Sequence, residues 1–155
     1  MTHALDIPIP LVGMRPDREP DFVIGTPDRP YMLRWFVLPR NETFNIYYHV
    51  VMRDDDDRAL HDHPWPSFSI MMKGQMREIT PNGPRVIRAG ECVYRGPDFS
   101  HRLELIDGAP AETLFITGPK VRDWGFHCPK GWVHWRDFVE PDSTGEIGRG
   151  CGEMA

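Results

Sequence analysis

The sequence predicts an all-β fold, a sandwich or barrel of short strands. Three observations carry that reading. Runs of aromatic and β-branched residues recur every 8–12 residues or so (about the spacing of such folds), with turn signals between them. The 155 residues include 16 prolines and 14 glycines spread along the chain, which suits many turns better than long helices. No stretch before residue 118 sustains the periodicity of an amphipathic helix.

The elements follow in order. Residues 1–30 hold Pro8, Pro10, Pro16, Pro20, Pro27 and Pro30, each of which blocks a ladder hydrogen bond and extends its predecessor. An extended arm is expected there, with at most a short strand at Phe22-Val23-Ile24. It would cover a sheet edge or reach a second subunit, so a homodimer is a possible assembly. Tyr31 to Leu38 reads as a strand by composition and stops before Pro39. Phe44 to Val51 reads as a second, with Tyr47, His49 and Val51 sharing one face.

Arg53-Asp54-Asp55-Asp56-Asp57-Arg58 places four carboxylates side by side, and their mutual repulsion predicts a solvated loop. Phe68 to Lys73 and Gln75 to Thr80 read as a hairpin about Gly74. Pro81-Asn82-Gly83-Pro84 is a turn signal. Val86-Ile87, then Gly90 to Tyr94, read as short strands, and Gly96-Pro97-Asp98 as a turn. His101 to Ile106 alternates, with His101, Leu103 and Leu105 on one face. Thr113 to Thr117 closes the series before Gly118-Pro119.

Composition narrows the function. The net charge is −5 and no block of Lys and Arg occurs, so binding to a nucleic-acid backbone is not expected. No run of about 18 apolar residues is present and the first residues lack a signal-peptide pattern, so no membrane partner is expected either. Cys92, Cys128 and Cys151 form no CxxC pair and leave one thiol over in any pairing scheme, which agrees with a reducing, cytoplasmic setting.

The chemistry gathers at His61-Asp62-His63. Side chains alternate along an extended chain, so the two imidazoles project to one side about 6.6 Å apart, and Asp62 projects to the other. Imidazole nitrogens bind a metal at about 2.0–2.1 Å, so the pair can converge on one ion. His101 opens a later strand on the face of Leu103 and Leu105, where an imidazole needs a hydrogen-bond partner or a metal.

With these residues the chain resembles the cupin superfamily over about residues 31–118. Its first cupin motif has His61, His63 and Gly74 in register, Ser67 at the glutamate position and Asp55 at the leading glycine. Its second has Gly90 and His101 in register, with Gly96, Asp98 and Leu105 at the proline, glycine and asparagine positions. The 15 residues between Gly74 and Gly90 match a short segment between motifs.

The resemblance implies a double-stranded β-helix, the jelly-roll barrel, with one divalent ion on His61, His63 and His101. It does not supply a fourth ligand, because Ser67 stands where the glutamate would be. Iron(II) is the favoured metal, with zinc, nickel, manganese or copper compatible with imidazole. A three-histidine centre is similar to that of thiol dioxygenases, although their Ser-x-His-x-Tyr element is not found. The implied function is an oxygenase acting on a small molecule. The alternatives are a metal-dependent binding or sensing module, or an isomerase with His101 as base. Tyr47 and Arg95, with His49 and Tyr94, are candidates to orient a substrate.

The domain plan is a single unit: arm 1–30, barrel 31–118, Trp-rich cap 119–140 and flexible tail 141–155. Trp124, Trp132 and Trp135 make the cap, a lid over one opening or a dimer contact. His127, Cys128, His134 and Cys151 are candidates for a second metal site, but their spacing fits no zinc pattern.

Overall fold

Strands dominate, at 53% of the described residues against 3% in helix. The computed structural model describes residues 15–55 and 59–152. The elements are β1 (Phe22–Thr26), β2 (Arg29–Phe36), β3 (Asn45–Val51), β4 (Leu60–His61), β5 (Ser67–Lys73), β6 (Gln75–Thr80), β7 (Gly83–Arg88), β8 (Cys92–Arg95), β9 (Arg102–Leu105) and β10 (Ala111–Thr117). The C-terminal part adds β11 (Gly125–Cys128), β12 (Gly131–His134), the one-turn helix α1 (Trp135–Phe138), β13 (Val139–Glu140) and β14 (Ser143–Ile147).

A six-stranded sheet runs β1-β2-β3-β10-β5-β8 and faces a three-stranded sheet β7-β6-β9. Between them Met32, Val51 and Met71 of the large sheet pack against Met76, Ile87 and Leu105 of the small one. Each such side chain contributes about 1.5–3 kcal/mol when fully buried. All pairings are antiparallel, as in a jelly roll. Gly74 makes the turn from β5 to β6 with φ +78, where a side chain would be strained and a Cβ would stand 3.1 Å from the Pro110 carbonyl.

The strand predictions need small changes. β7 begins at Gly83 and includes Pro84, which the turn reading excluded. It is an edge strand, so the missing N–H of proline leaves no ladder bond broken. β1 extends to Thr26. Residues 15–21 run beside β2: the Trp35 indole donates to the Arg18 carbonyl at 2.8 Å, and Asp21 accepts from the Phe36 N–H at 2.7 Å. The rest of the expected arm, residues 1–14, lies outside the described residues.

The acidic run is not wholly a solvated loop. The carboxylates of Asp55 and Asp54 accept the N–H groups of Leu103 and Leu105 at 2.7 and 2.6 Å, tying the run to β9. Asp56, Asp57 and Arg58 lie outside the described residues.

The polar stretch from 141, expected as a flexible tail, forms a hairpin instead. β14 pairs with β13 and lies against β1. Cys128 and Cys151 form a disulfide that closes the segment, and Cys92 is the free, exposed thiol. The cysteine count therefore does not argue for a reducing compartment. The disulfide also removes both thiolates from the second metal site considered above. No described helix is long and apolar enough to cross a membrane.

Candidate metal centre

His61, His63 and His101 meet at one end of the space between the sheets, with their ligand atoms all within 4.8 Å of one another. Backbone pairing sets this up. His61 and His101 exchange two N–H···O bonds, at 2.8 and 2.9 Å, so the two halves of the motif are one antiparallel bridge. His63 follows two residues after His61 and projects to the same side. Its ring stands 5.6 Å from Trp65 and 6.2 Å from Phe115, in apolar surroundings.

The nitrogens are presented for a ligand. His101 Nδ1 lies 2.6 Å from a carboxylate oxygen of Glu78, and we assign the proton to Nδ1, which leaves Nε2 its lone pair. Nε2 of His101 and Nε2 of His63 then face each other at 3.0 Å. Two nitrogens that each sit about 2.1 Å from a shared ion have such a separation. Nδ1 of His61 lies 3.7 Å from a carboxylate oxygen of Asp55.

Burial pushes His101 down to about 4, with the Glu78 bond opposing and the charges of His61 and Arg95 assisting. Burial, then His61, His101, Arg95 and Arg34, also hold His63 well below the usual imidazole range. Both rings are therefore neutral at pH 7, the form that binds a metal.

Glu78 is the residue that sequence reasoning missed. It is fully buried, and besides His101 it accepts from Arg95 Nε at 2.6 Å and Arg85 Nε at 2.5 Å. Burial raises its pKa, but the bond from His101 and the charge of Arg95 outweigh that and hold it at about 2. A carboxylate behind a ligand histidine fixes the ring and its tautomer. A signal was available: on β6 Glu78 alternates onto the face of Met76, a charged residue at a core position.

The substrate-orienting candidates separate. Arg95 lines the cavity and donates to Ser69 Oγ at 2.7 Å, whereas Tyr94 is 67% exposed and faces away. His49 lines the cavity, while Tyr47 is buried beside it with its ring stacked on the imidazole. Ser67 is buried, and its Oγ finds no hydrogen-bond partner among the described residues.

Asp62, between the two ligands, points away from them and is buried by the C-terminal segment. It accepts from the Gly125 N–H at 2.9 Å and the Trp132 indole at 3.0 Å, pairs with Arg122 at 2.9 Å and meets His127 Nε2 at 3.0 Å. Gly125 is required there, since a Cβ would fall 2.1 Å from the Val133 carbonyl. β11 thereby pairs with β4, placing Phe126 opposite His61. Trp124, Phe126, Trp135 and Phe138 form one wall of a cavity of about 330 Å³ into which the three histidines open.

No family model and no curated protein matches the chain. Solved structures match its fold. A candidate mannose-6-phosphate isomerase from Ralstonia eutropha superposes with a TM-score of 0.52 at 20% identity, over 64% of this chain and 92% of that one. A sugar phosphate isomerase of the cupin superfamily from Silicibacter pomeroyi gives 0.51 at 13% identity, over 66% and 74%. The polyketide cyclase RemF from Streptomyces resistomycificus gives 0.50 at 15% identity, over 59% and 67%. With the two facing antiparallel sheets and a three-histidine group able to hold a metal ion, the fold of this chain is that of the cupins.

Proposed function

We propose that the protein is a mononuclear metal-dependent oxygenase acting on a small molecule, with iron(II) the favoured ion on His61, His63 and His101. The observation that carries the reading is the convergence of three imidazoles, two of them neutral and one of these buried, at the wall of a largely apolar cavity. The donor set fits a divalent ion: each imidazole offers a lone pair, and Glu78 accepts the Nδ1–H of His101. Three neutral ligands leave coordination positions open and the charge of the ion uncompensated. When bound, a redox-active ion supplies the electron exchange with dioxygen that an oxygenation needs. The chain itself holds the three rings in place, orients a substrate with cavity-facing side chains, and limits water with its aromatic wall.

A second reading is an isomerase or a metal-dependent binder. It is favoured by His101, neutral and anchored by Glu78, whose free nitrogen could take a proton from a substrate.

Metal analysis and oxygen uptake test the proposal together. One equivalent of iron per chain, with substrate-dependent oxygen uptake lost in H61A and H101A, supports the oxygenase. Stoichiometric metal without uptake favours the second reading. Purification without metal, and no rise in Tm on adding iron, zinc or nickel, overturns the metal centre.

A further inference from the structure

Arg34 is a cavity cation that the metal centre does not use. It stands on β2 in register with His49 of β3, which is in register with Thr113 of β10, and this row of three faces the cavity. Its Nε donates to His49 Nε2 at 2.9 Å, and its guanidinium lies 4.7 Å from the centre of the Tyr47 ring. These contacts fix the guanidinium plane and use one of its donors. Arg95, by contrast, is neutralised by Glu78 at 2.6 Å. Among the described residues no carboxylate pairs with Arg34. A desolvated charge without a counter-charge is costly, and an incoming anion relieves that cost.

We propose that Arg34 anchors the carboxylate of the substrate, so that the pocket takes a small monocarboxylic acid with an apolar body. The remaining guanidinium N–H groups suit a planar two-oxygen acceptor. One unpaired cation matches one negative charge, whereas a phosphate dianion would bring a second charge that Arg34 alone does not meet. His49 is buried and neutral and adds no further positive charge. The Phe115 ring, 5.3 Å from His49 and 6.2 Å from His63, spans the distance from this row to the metal centre. The apolar body would lie along Phe115 toward the aromatic wall. The inference rests on the cavity being the substrate site of the proposed function, and it does not require oxygenation.

Titration calorimetry of the purified full-length chain tests it, with phenylacetate, phenylacetamide and phenyl phosphate as probes. Phenylacetate should bind about tenfold or more tightly than its amide, as expected for a charge-assisted pair. In R34Q that preference should vanish while amide affinity and metal content persist. Unchanged phenylacetate affinity in R34Q overturns the proposal, since the acid would then sit on the metal or elsewhere. Tighter binding of phenyl phosphate, or no binding of any probe, also overturns it. If R34Q fails to fold by circular dichroism, R34K is read instead. It keeps the charge without the fork, and an affinity loss of about threefold or more is expected, no loss being contrary. Arg34-dependent phenylacetate binding without oxygen uptake would overturn the oxygenase and keep this subsite; uptake with no Arg34 dependence would do the reverse.

Discussion

Glu78 of β6 and His101, the residue just before β9, form a carboxylate–imidazole pair with Oε1 and Nδ1 2.6 Å apart. The pair sets the ring of one metal ligand and leaves its other nitrogen free. Replacing Glu78 by glutamine keeps the shape, but removes the charge that faces Arg95 and Arg85 and weakens the brace on His101. E78Q should lose about 10–100-fold in metal affinity. Competition against a chromophoric zinc chelator reads that loss directly, and an affinity equal to wild type would show that Glu78 serves only the two arginines.

Asp62 should matter to the C-terminal wall more than to the ion. Its side chain is nearly inaccessible, and it joins β4 to Gly125, His127, Trp132 and Arg122. D62A strands these partners and should lower stability by about 3 kcal/mol, as for breaking a buried charged network. Urea denaturation gives the magnitude. Tryptophan emission should shift to the red in the folded variant as the Trp132 side loosens; an unshifted spectrum would mean that the wall holds without Asp62.

How much of this was legible in the sequence follows from the range of each interaction. His61 and His63 are related by strand alternation, and His101 by the turn before its strand, so their common side could be read locally. Glu78 was readable in principle from its alternation with Met76. Arg34 was not. The large sheet is covered on both faces, with Met32 buried on one and Trp35 on the other, so the apolar residues of β2 fall on both faces and do not mark which one looks into the cavity. Asp62 draws its partners from residues some sixty to seventy positions away, beyond any periodicity. The polar composition after 141 conceals a hairpin because a disulfide and a neighbouring strand hold it, not an apolar stripe.

The buried His49 predicts a dependence of stability on pH. Burial, with the charge of Arg34, keeps it neutral in the folded protein well below the ordinary imidazole range. In the unfolded chain it takes up a proton below about pH 6.5. The unfolded state then binds more protons than the folded one, so stability is fully present above that pH and falls as pH drops below it. The decline from this group approaches about 1.4 kcal/mol per pH unit. Thermal unfolding between pH 7.5 and 5 should show a shallower slope in H49Q, where glutamine can still accept from Arg34. Equal slopes would place the proton uptake elsewhere.

The disulfide gives the last prediction, because it closes a loop that carries part of the cavity wall. Cys128 ends β11 and Cys151 lies 23 residues on, with β12, α1, β13 and β14 between them. Phe138, Val139 and Ile147 from that loop line the cavity, and the N–H groups of Gly148 and Gly150 both donate to the Phe138 carbonyl. A cross-link of this span constrains the unfolded chain by about 3 kcal/mol. Dithiothreitol should therefore lower the unfolding free energy of the wild type by about that amount, and C151S should begin at the lowered value and not respond. Thiol alkylation under denaturing conditions, read by mass spectrometry, should find one reactive cysteine before reduction and three after. Three before reduction would mean that the segment is held by β13–β14 pairing and Asp62 alone. The Phe138 side of the cavity would then depend on packing against Phe126, whose ring stacks on it at 3.6 Å, and not on the cross-link.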